Sequence, residues 1–107
     1  DAQINLGVLY AEGIGVLQNY IEALKWFRLS AEQGHSNAQN NLGWMYDGVL
    51  RNNVKAHMWY NISSANGNKN AGKRRDERAA LMTPEDISKA TAMARECMAS
   101  DYKKCGY

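Results

Sequence analysis

Two stretches of the chain carry one pattern: residues 2–10 read AQINLGVLY, and residues 38–46 read AQNNLGWMY. A second pair follows, with GVLQNYIEA at 15–23 and GVLRNNVKA at 48–56. The first pair is offset by 36 residues and the second by 33, so the turn inside the second copy lacks three residues that the first copy has. A deletion confined to a surface turn is what a pair of packed helices tolerates. The sequence therefore predicts a repeat protein built from helix pairs.

The composition agrees with a small helical domain. The 107 residues fit one domain and carry 13 Lys+Arg against 11 Asp+Glu, a net charge of +2. This balance gives no strong electrostatic case for nucleic acid or an anionic membrane as partner. No apolar run approaches the roughly 20 residues of a membrane-spanning helix. The single proline, Pro84, and the few β-branched residues argue against a β-sheet protein.

Apolar residues recur at helical spacing in both copies, and capping residues mark where the helices begin and end. Ala2, Leu6 and Tyr10 form one apolar face, and Gly13 then ends the first helix. Thr83, followed by a proline and two acidic residues, starts the last helix. We predict an all-α fold, an α-α superhelix (solenoid) of three helix hairpins. Its helices are expected at residues 1–13, 19–34, 37–47, 52–67, 69–82 and 84–100.

Gly7 and Gly43 occupy the same position of the two copies, inside a predicted helix. Glycine costs about 1 kcal/mol relative to alanine in a helix interior, so its recurrence needs a reason. We expect the backbone of a neighbouring helix to pass close to each glycine, which is a packing role rather than a functional one.

A third unit diverges from the first two. Residues 67–71 keep the spacing of residues 34–38, but Arg75 and Asp76 stand where the Leu-Gly pair would recur. A polar terminal unit is typical of solenoids, because the last repeat has no neighbour that would bury its outer face. We divide the single domain into repeat 1 (1–34), repeat 2 (35–67) and a capping repeat with a tail (68–107).

The first copy carries a set of residues at fixed positions: Ala2, Leu6, Gly7, Tyr10, Gly13, Gly15, Val16, Ala23, Trp26, Gln33 and Gly34. This set resembles Sel1-like repeats, which are relatives of tetratricopeptide repeats. The second copy departs from the pattern by losing one turn glycine and by ending in Asn-Gly at 66–67. The segment MTPEDI at 82–87 also looks like the C-terminal cap that is common in bacterial members. The resemblance implies an array of helix pairs that binds proteins or peptides and scaffolds complexes, without catalysis or a cofactor.

The resemblance also implies where a partner binds, because the first helix of each pair lines the concave surface of tetratricopeptide arrays. The inward positions carried over to this chain are Ile4, Val8, Asn37, Asn40, Asn41, Trp44, Asp47, Lys73 and Glu77. Trp44 stands out, since the first copy has Val8 at the equivalent position. Two interpretations are open: Trp44 packs between adjacent helices, or it is an aromatic anchor among asparagines that bind a peptide backbone.

The residues of an enzyme or metal site do not assemble into a recognisable pattern. His35 falls in the turn between the copies and His57 on a second helix, and we interpret both as surface or packing residues. We expect no catalytic residue, no metal and no cofactor. The basic run KRR at 73–75 offers nucleic-acid contact as a weaker alternative function. Two acidic residues follow at once, however, and favour a solvated capping face.

Cys97 and Cys105 support an alternative function. Some cysteine-rich relatives in this repeat family have been proposed to bind or hydrolyse β-lactams, and their paired cysteines have the same separation. Those relatives place a pair in each repeat, whereas this chain has one pair, in its tail. No activated serine or metal set accompanies it. Protein binding is therefore preferred over β-lactam chemistry.

The same two cysteines also predict a disulfide. Residues 101–104 can fold the tail back over the last helix and bring the two Cα atoms within the roughly 4.4–6.8 Å that a disulfide requires. An oxidised pair favours the periplasm or the exterior over the cytosol. The alternative is two free thiols in a cytosolic protein, with Cys97 buried as a small apolar residue.

The first helix has no preceding neighbour in this chain. We therefore expect Ile4, Val8 and Ala11 to lie partly uncovered, and exposed apolar patches of this kind commonly mark interfaces. This predicts either a homo-oligomer formed through the first helix or further repeats upstream. The opening residue, Asp1, indicates a mature or truncated product.

Overall fold

The computed structural model of the chain describes residues 1–106, and this stretch contains six α-helices and no β-strand. The helices are α1 (Ala2–Glu12), α2 (Tyr20–Ala31), α3 (Ser36–Trp44), α4 (Asn53–Ala65), α5 (Lys69–Ala79) and α6 (Pro84–Ala99). Every helix end lies within three residues of its predicted position, and the all-α fold is confirmed. Tyr107, the last residue of the predicted capping repeat, lies outside the described residues.

Polar side chains start most of the helices. Asn19, Asn52 and Asn68 each precede a helix, and each side-chain oxygen accepts a hydrogen bond of 3.0–3.1 Å from the backbone N–H three residues further on. Such a cap satisfies one of the backbone donors that a helix leaves unpaired at its start. Thr83 caps α6 in the same way, with Pro84 in the first turn, as predicted.

The helices stack in chain order. The α2 helix packs between α1 and α3, and α4 packs between α3 and α5, in a molecule with extents of 42, 27 and 24 Å. The third pair departs from the predicted hairpin, because α5 and α6 each pack more closely against α4 than against each other. The polar α5 offers little to a helix partner, since Ala71 is its one buried residue. The third unit is therefore a cap laid on repeat 2.

The centre of the hydrophobic core lies in repeat 2. Met58, Trp59, Tyr60 and Ile62 of α4 are at most 1 % exposed, and Leu42 of α3 is fully buried. Burying a large apolar side chain contributes roughly 1.5–3 kcal/mol relative to leaving it in water. Repeat 2 therefore carries much of the stability of the domain.

The helix glycines Gly7 and Gly43 make room for an aromatic ring of the second helix in the same repeat. A Cβ atom at Gly7 would lie 2.5 Å from the Phe27 ring, and one at Gly43 would collide with the Tyr60 ring. The expectation that a neighbouring backbone passes close is therefore wrong, because the close neighbour is a side chain. The packing role holds, and it recurs because Phe27 and Tyr60 occupy equivalent positions.

The turns that join the two helices of each repeat differ in length, yet an equivalent backbone hydrogen bond closes each of them. Asn19 N donates to Tyr10 O at 2.8 Å, and Asn52 N donates to Tyr46 O at 2.7 Å. In repeat 2 the α-helix gives way to a π-helical segment, Met45–Val49, where the sequence predicts α-helix as far as residue 47. The deletion of three residues thus leaves the closure of the helix pair unchanged.

The backbone shows which residues the second turn lacks. The hydrogen bond from Ile14 N to Leu9 O has its counterpart, from Leu50 N to Met45 O, 36 residues later. The offset of 36 residues between the two copies therefore persists past the end of α3. Gly15, in the left-handed region at φ 74°, then corresponds to Arg51 at φ 53° rather than to Gly48. The missing residues correspond to the three that follow Gly15, and the sequence alignment of Gly15 with Gly48 is wrong.

The outer face of α1 is uncovered. Leu6 is 36 % exposed, whereas Leu42, at the same position of α3, is fully buried. Ile4 and Val8 are half-buried and pack against the core, so they are partly uncovered as expected. The expectation for Ala11 is wrong: it is buried, because the packing of α1 on α2 covers it.

The tail folds back over the end of α6 and closes the predicted disulfide. Cys97 and Cys105 are joined with their Cα atoms 4.4 Å apart, and both are buried. Tyr102 lies between them, and its hydroxyl accepts a hydrogen bond of 3.1 Å from Asn66 Nδ2. Asn66 also donates to Gln39 Oε1 at 2.9 Å. The tail is thereby tied to the buried polar contacts of repeat 2.

Candidate partner-binding groove

A groove of about 250 Å³ lies where α1, α2, α3 and α5 come together. It is lined by Val8, Ala11 and Glu12 from α1, Phe27 from α2, Asn40, Asn41 and Trp44 from α3, and Arg74 from α5. Pockets for drug-sized molecules typically measure about 300–1,000 Å³. This groove is smaller, and it fits one or two side chains of a larger partner.

The structure brings four of the predicted concave residues together in the groove: Val8, Asn40, Asn41 and Trp44. The other five lie outside its lining: Ile4, Asn37, Asp47, Lys73 and Glu77. Ile4 packs against the core, and Asn37 accepts a hydrogen bond of 3.2 Å from Asn68. Lys73 and Glu77 are exposed on α5. The groove is therefore lined mainly by α1 and α3.

Trp44 is the largest side chain of the groove. It is 43 % exposed, and its indole N–H makes no hydrogen bond within residues 1–106. Packing between helices is instead the situation of Trp59, which is fully buried. Tryptophan is enriched among the residues that dominate protein interfaces, and a partner can reach it only where it is exposed. The exposure of Trp44 favours the anchor interpretation.

Asn40 and Asn41 lie one turn before Trp44 on α3. Residues three and four positions apart are neighbours on a helix surface, so the three side chains share one face. The side-chain oxygen of Asn40 is buried and has no hydrogen-bond partner within residues 1–106, and the amide of Asn41 makes no hydrogen bond there either. Leaving a buried polar atom unpaired costs about 1–3 kcal/mol. This arrangement favours a binding role over a stabilising one.

Sequence reasoning misses four lining residues: Ala11, Glu12, Phe27 and Arg74. Glu12 lies four residues after Val8 on α1, so the helical period alone could have placed it on the same face. Arg74 directly follows Lys73, the position carried over from the repeat pattern. Its place in the groove depends on how α5 packs on α4, which no sequence signal specifies.

Asp47 is engaged in contacts that hold α4 and α5 together. Tyr60, which is 1 % exposed, donates a hydrogen bond of 3.4 Å to Asp47, and Arg78 forms an ion pair with the same carboxylate. Burial, together with the negative charge of Asp47, raises the pKa of Tyr60 to about 12. The guanidinium of Arg74, hydrogen-bonded to the Tyr60 hydroxyl, acts in the opposite direction on this pKa.

The basic run at 73–75 does not form one patch. Lys73 is exposed, Arg74 lines the groove, and Arg75 donates to Asn61 at 2.8 Å and to Asp76 at 3.0 Å. Tight binding of a phosphate backbone draws on several cations at once. The separate surroundings of the three side chains favour separate roles.

The two histidines differ in their surroundings. His35 is exposed at the start of α3, with its Nε2 atom 3.3 Å from the carboxylate of Asp1. His57 is buried, and burial together with the nearby charge of Arg75 lowers its pKa, partly offset by Asp76. Among residues 1–106, no three His, Cys, Asp or Glu side chains cluster as a metal site requires. The helices of this stretch also fall short of the length and apolarity needed to cross a membrane.

Comparison with known proteins agrees with the repeat arithmetic. Two consecutive segments, residues 1–35 and 36–68, match the family model described as Sel1 repeat. A sel1-like repeat-containing protein of Acanthamoeba polyphaga mimivirus is 51 % identical to the chain over 45 residues. That match covers 42 % of this chain and 8 % of the viral protein, so the chain spans a small part of this relative's length.

Proposed function

Because the chain belongs to the Sel1 repeat family, whose repeats generally mediate protein–protein interactions, we propose that it is a non-catalytic module that binds a partner protein in the groove. One observation supports this site above all. Asn40, Asn41 and Trp44 line the groove, and none of their side chains makes a hydrogen bond within residues 1–106. Asn52 and Asn68, in contrast, use theirs for helix caps.

The proposed mode of binding follows from the chemistry of the lining. An apolar side chain of the partner packs against Val8, Phe27 and the ring of Trp44. Asn40 and Asn41 bind the partner's backbone, since an amide offers both donors and acceptors. No bond is made or broken in this mode. It suits an adaptor or scaffold that holds proteins together in a complex.

The test is a peptide selection followed by affinity measurement. Peptides selected from a random library on the intact chain are titrated against Trp44→Ala and against Leu81→Ala. Leu81 is a matched control, because it is 73 % exposed and lies outside the groove. We expect Trp44→Ala to weaken binding at least about tenfold, as for an interface hot spot. Equal affinities of the two variants would show that the groove is not the site.

We also propose that the protein works in an oxidising compartment, the periplasm or the exterior, as is typical of disulfide-containing proteins. The buried Cys97–Cys105 disulfide supports this location. The cap-like segment at 82–87 leads us to propose a bacterial origin. Thiol titration of unreduced, denatured protein purified from its source should find no reactive thiol. Two reactive thiols per chain would contradict the proposed compartment.

Self-association through α1 is a further proposal. The exposed Leu6 supports it, because the equivalent Leu42 is fully buried against its neighbours. Sedimentation equilibrium should show a dimer or larger assembly for the wild-type chain and a monomer for Leu6→Glu. A monomeric wild-type chain at high concentration would contradict this proposal.

A further inference from the structure

The groove carries one charge of each sign. Glu12 of α1 and Arg74 of α5 both line it, together with Trp44 of α3, the helix that lies between the other two in the stack. On the basis of the proposed function, we infer that the groove selects partner segments in which a basic and an acidic side chain flank an apolar one. The apolar side chain packs on Trp44, the basic one pairs with Glu12, and the acidic one pairs with Arg74.

Both charges are available to a partner. Neither Glu12 nor Arg74 forms an ion pair within residues 1–106, and both side chains are exposed. On α5, Arg75 binds Asp76 and Arg78 binds Asp47, while Lys73 and Glu77 are exposed outside the lining of the groove. The charged side chains that line the groove are therefore one carboxylate, Glu12, and one guanidinium, Arg74, and a ligand in the groove meets both.

The contact that Arg74 makes with Tyr60 leaves the charge of the guanidinium in place. Its protein partner is the hydroxyl of Tyr60, a phenol whose pKa is raised to about 12 and which is therefore neutral at physiological pH. A neutral hydroxyl positions the guanidinium without cancelling its charge. Guanidinium and carboxylate groups form paired hydrogen bonds of matching geometry. Arg74 is thus suited to an acidic side chain of the partner.

Two charges of opposite sign also exclude partners. A segment with two acidic side chains places one of them beside Glu12, and a segment with two basic side chains places one beside Arg74. Like charges at an interface disfavour the wrong partner, and this supplies specificity in addition to the attraction for the right one. The groove therefore discriminates among segments that share the same apolar anchor.

Four synthetic peptides test the inference on the intact chain. Each has Ser-Leu-Ser at its centre, and the two flanking residues are Lys and Glu, two Lys, two Glu or two Gln. A second version of each peptide has a longer spacer between the leucine and the flanking residues. We expect the Lys–Glu peptide to bind about twofold to fivefold more tightly for each matched charge, and the contrast to vanish in about 0.5 M salt. Binding is followed by chemical-shift titration.

Single substitutions should redirect the preference. Glu12→Lys should make the two-Glu peptide the best ligand, and Arg74→Glu should make the two-Lys peptide the best. The matched controls are Glu85→Lys and Arg95→Glu, which make the same charge changes at exposed positions of α6 outside the groove. These controls should leave the Lys–Glu peptide preferred.

The outcomes separate this inference from the function on which it rests. If all four peptides bind equally and Trp44→Ala weakens each of them, the charge selection is overturned while binding in the groove stands. If no peptide binds in a manner that depends on Trp44, both are overturned. A preference that follows Glu12→Lys and Arg74→Glu but not the control variants supports the inference.

Discussion

Repeat 1 and repeat 2 share a helix pair, the asparagine cap of the second helix and the turn closure, yet repeat 2 alone is covered on both sides. Leu42 is fully buried, whereas its counterpart Leu6 is 36 % exposed. Trp59 is fully buried, whereas its counterpart Trp26 is partly exposed. The same residue type at matched positions thus contributes differently to the free energy of unfolding. The position of a repeat in the stack, more than its residues, sets how much it stabilises the domain.

The polar contacts differ between the repeats for the same reason. Gln39 is fully buried and donates a hydrogen bond of 3.0 Å to Ala31 O, at the end of the preceding helix pair. Its counterpart Gln3, on α1, accepts a hydrogen bond from Gln33 at the surface instead. Contacts between repeats are therefore what buries a residue, and matched positions of the two repeats should respond differently to the same substitution.

The largest difference is expected for the matched leucines. Leu42→Ala should lower the free energy of unfolding by about 2–5 kcal/mol, because it opens a cavity in a fully packed site. Leu6→Ala should cost about 1–2 kcal/mol, since Leu6 is 36 % exposed and already meets water in part. Urea unfolding followed by circular dichroism measures both. Equal losses would show that the two repeats are equally covered.

The helix glycines should give the next largest effect. Alanine normally stabilises a helix interior by about 1 kcal/mol relative to glycine. Gly43→Ala should instead destabilise the protein by about 1–3 kcal/mol, because the new methyl group overlaps the Tyr60 ring. Gly7→Ala should cost less, since Phe27 belongs to the repeat with an open side.

A second variant tests whether the ring is the cause. In a Tyr60→Leu background, which removes the ring, adding Gly43→Ala should be neutral or stabilising. A persistent loss of stability in that background would point to a backbone contact, as the sequence predicts.

A smaller effect is expected in acid. His57 of repeat 2 is buried with a lowered pKa, and Leu24 stands at the equivalent position of repeat 1. The unfolded histidine has a pKa of 6.5, so as the pH falls the unfolded chain takes up this proton first. The titration of His57 therefore leaves the free energy of unfolding unchanged above about pH 6.5 and lowers it progressively below that pH.

The matching substitution is His57→Leu, which gives repeat 2 the residue of repeat 1. The urea midpoint of the variant should fall less than that of the wild type between about pH 7.5 and about pH 5. The same pH dependence in both proteins would assign the acid sensitivity to other groups.

The smallest effect is expected in the turns. Arg51 adopts the left-handed backbone that Gly15 adopts in repeat 1. Arg51→Gly should stabilise the protein by up to about 1 kcal/mol, because glycine meets no steric penalty there while it adds some entropy to the unfolded chain. Arg51→Ala, which keeps the penalty, should change stability little. Thermal melts of the two variants distinguish them, and a loss of stability with glycine would assign the turn's stability to the Arg51 side chain.

Local signals in the sequence predict the number of helices, their caps and the repeat. A cap such as Thr83 acts on the backbone within three residues, so the pattern of neighbours along the chain is enough to identify it. The disulfide can be predicted in the same way, because Cys97 and Cys105 are eight positions apart in the chain, with one turn between them.

The candidate groove could be predicted in part. Val8, Asn40, Asn41 and Trp44 follow from the face that the repeat pattern assigns to the first helices. Arg74 does not follow, because a small rotation of α5 on α4 decides whether Arg74 or Lys73 faces inward. Helix periodicity predicts a face, and only the packing of that face fixes which of two neighbouring residues enters a groove.

The sequence by itself determined an all-α repeat domain with a capped end and made a disulfide in the tail the favoured pairing, since these depend on spacings within single helices and turns. The tertiary structure alone decided three matters: the ring that fills the space at Gly43, the residues that the second turn lacks, and the charges that line the groove. Each depends on how side chains distant in sequence meet, and that is set by close packing between helices rather than by any local preference.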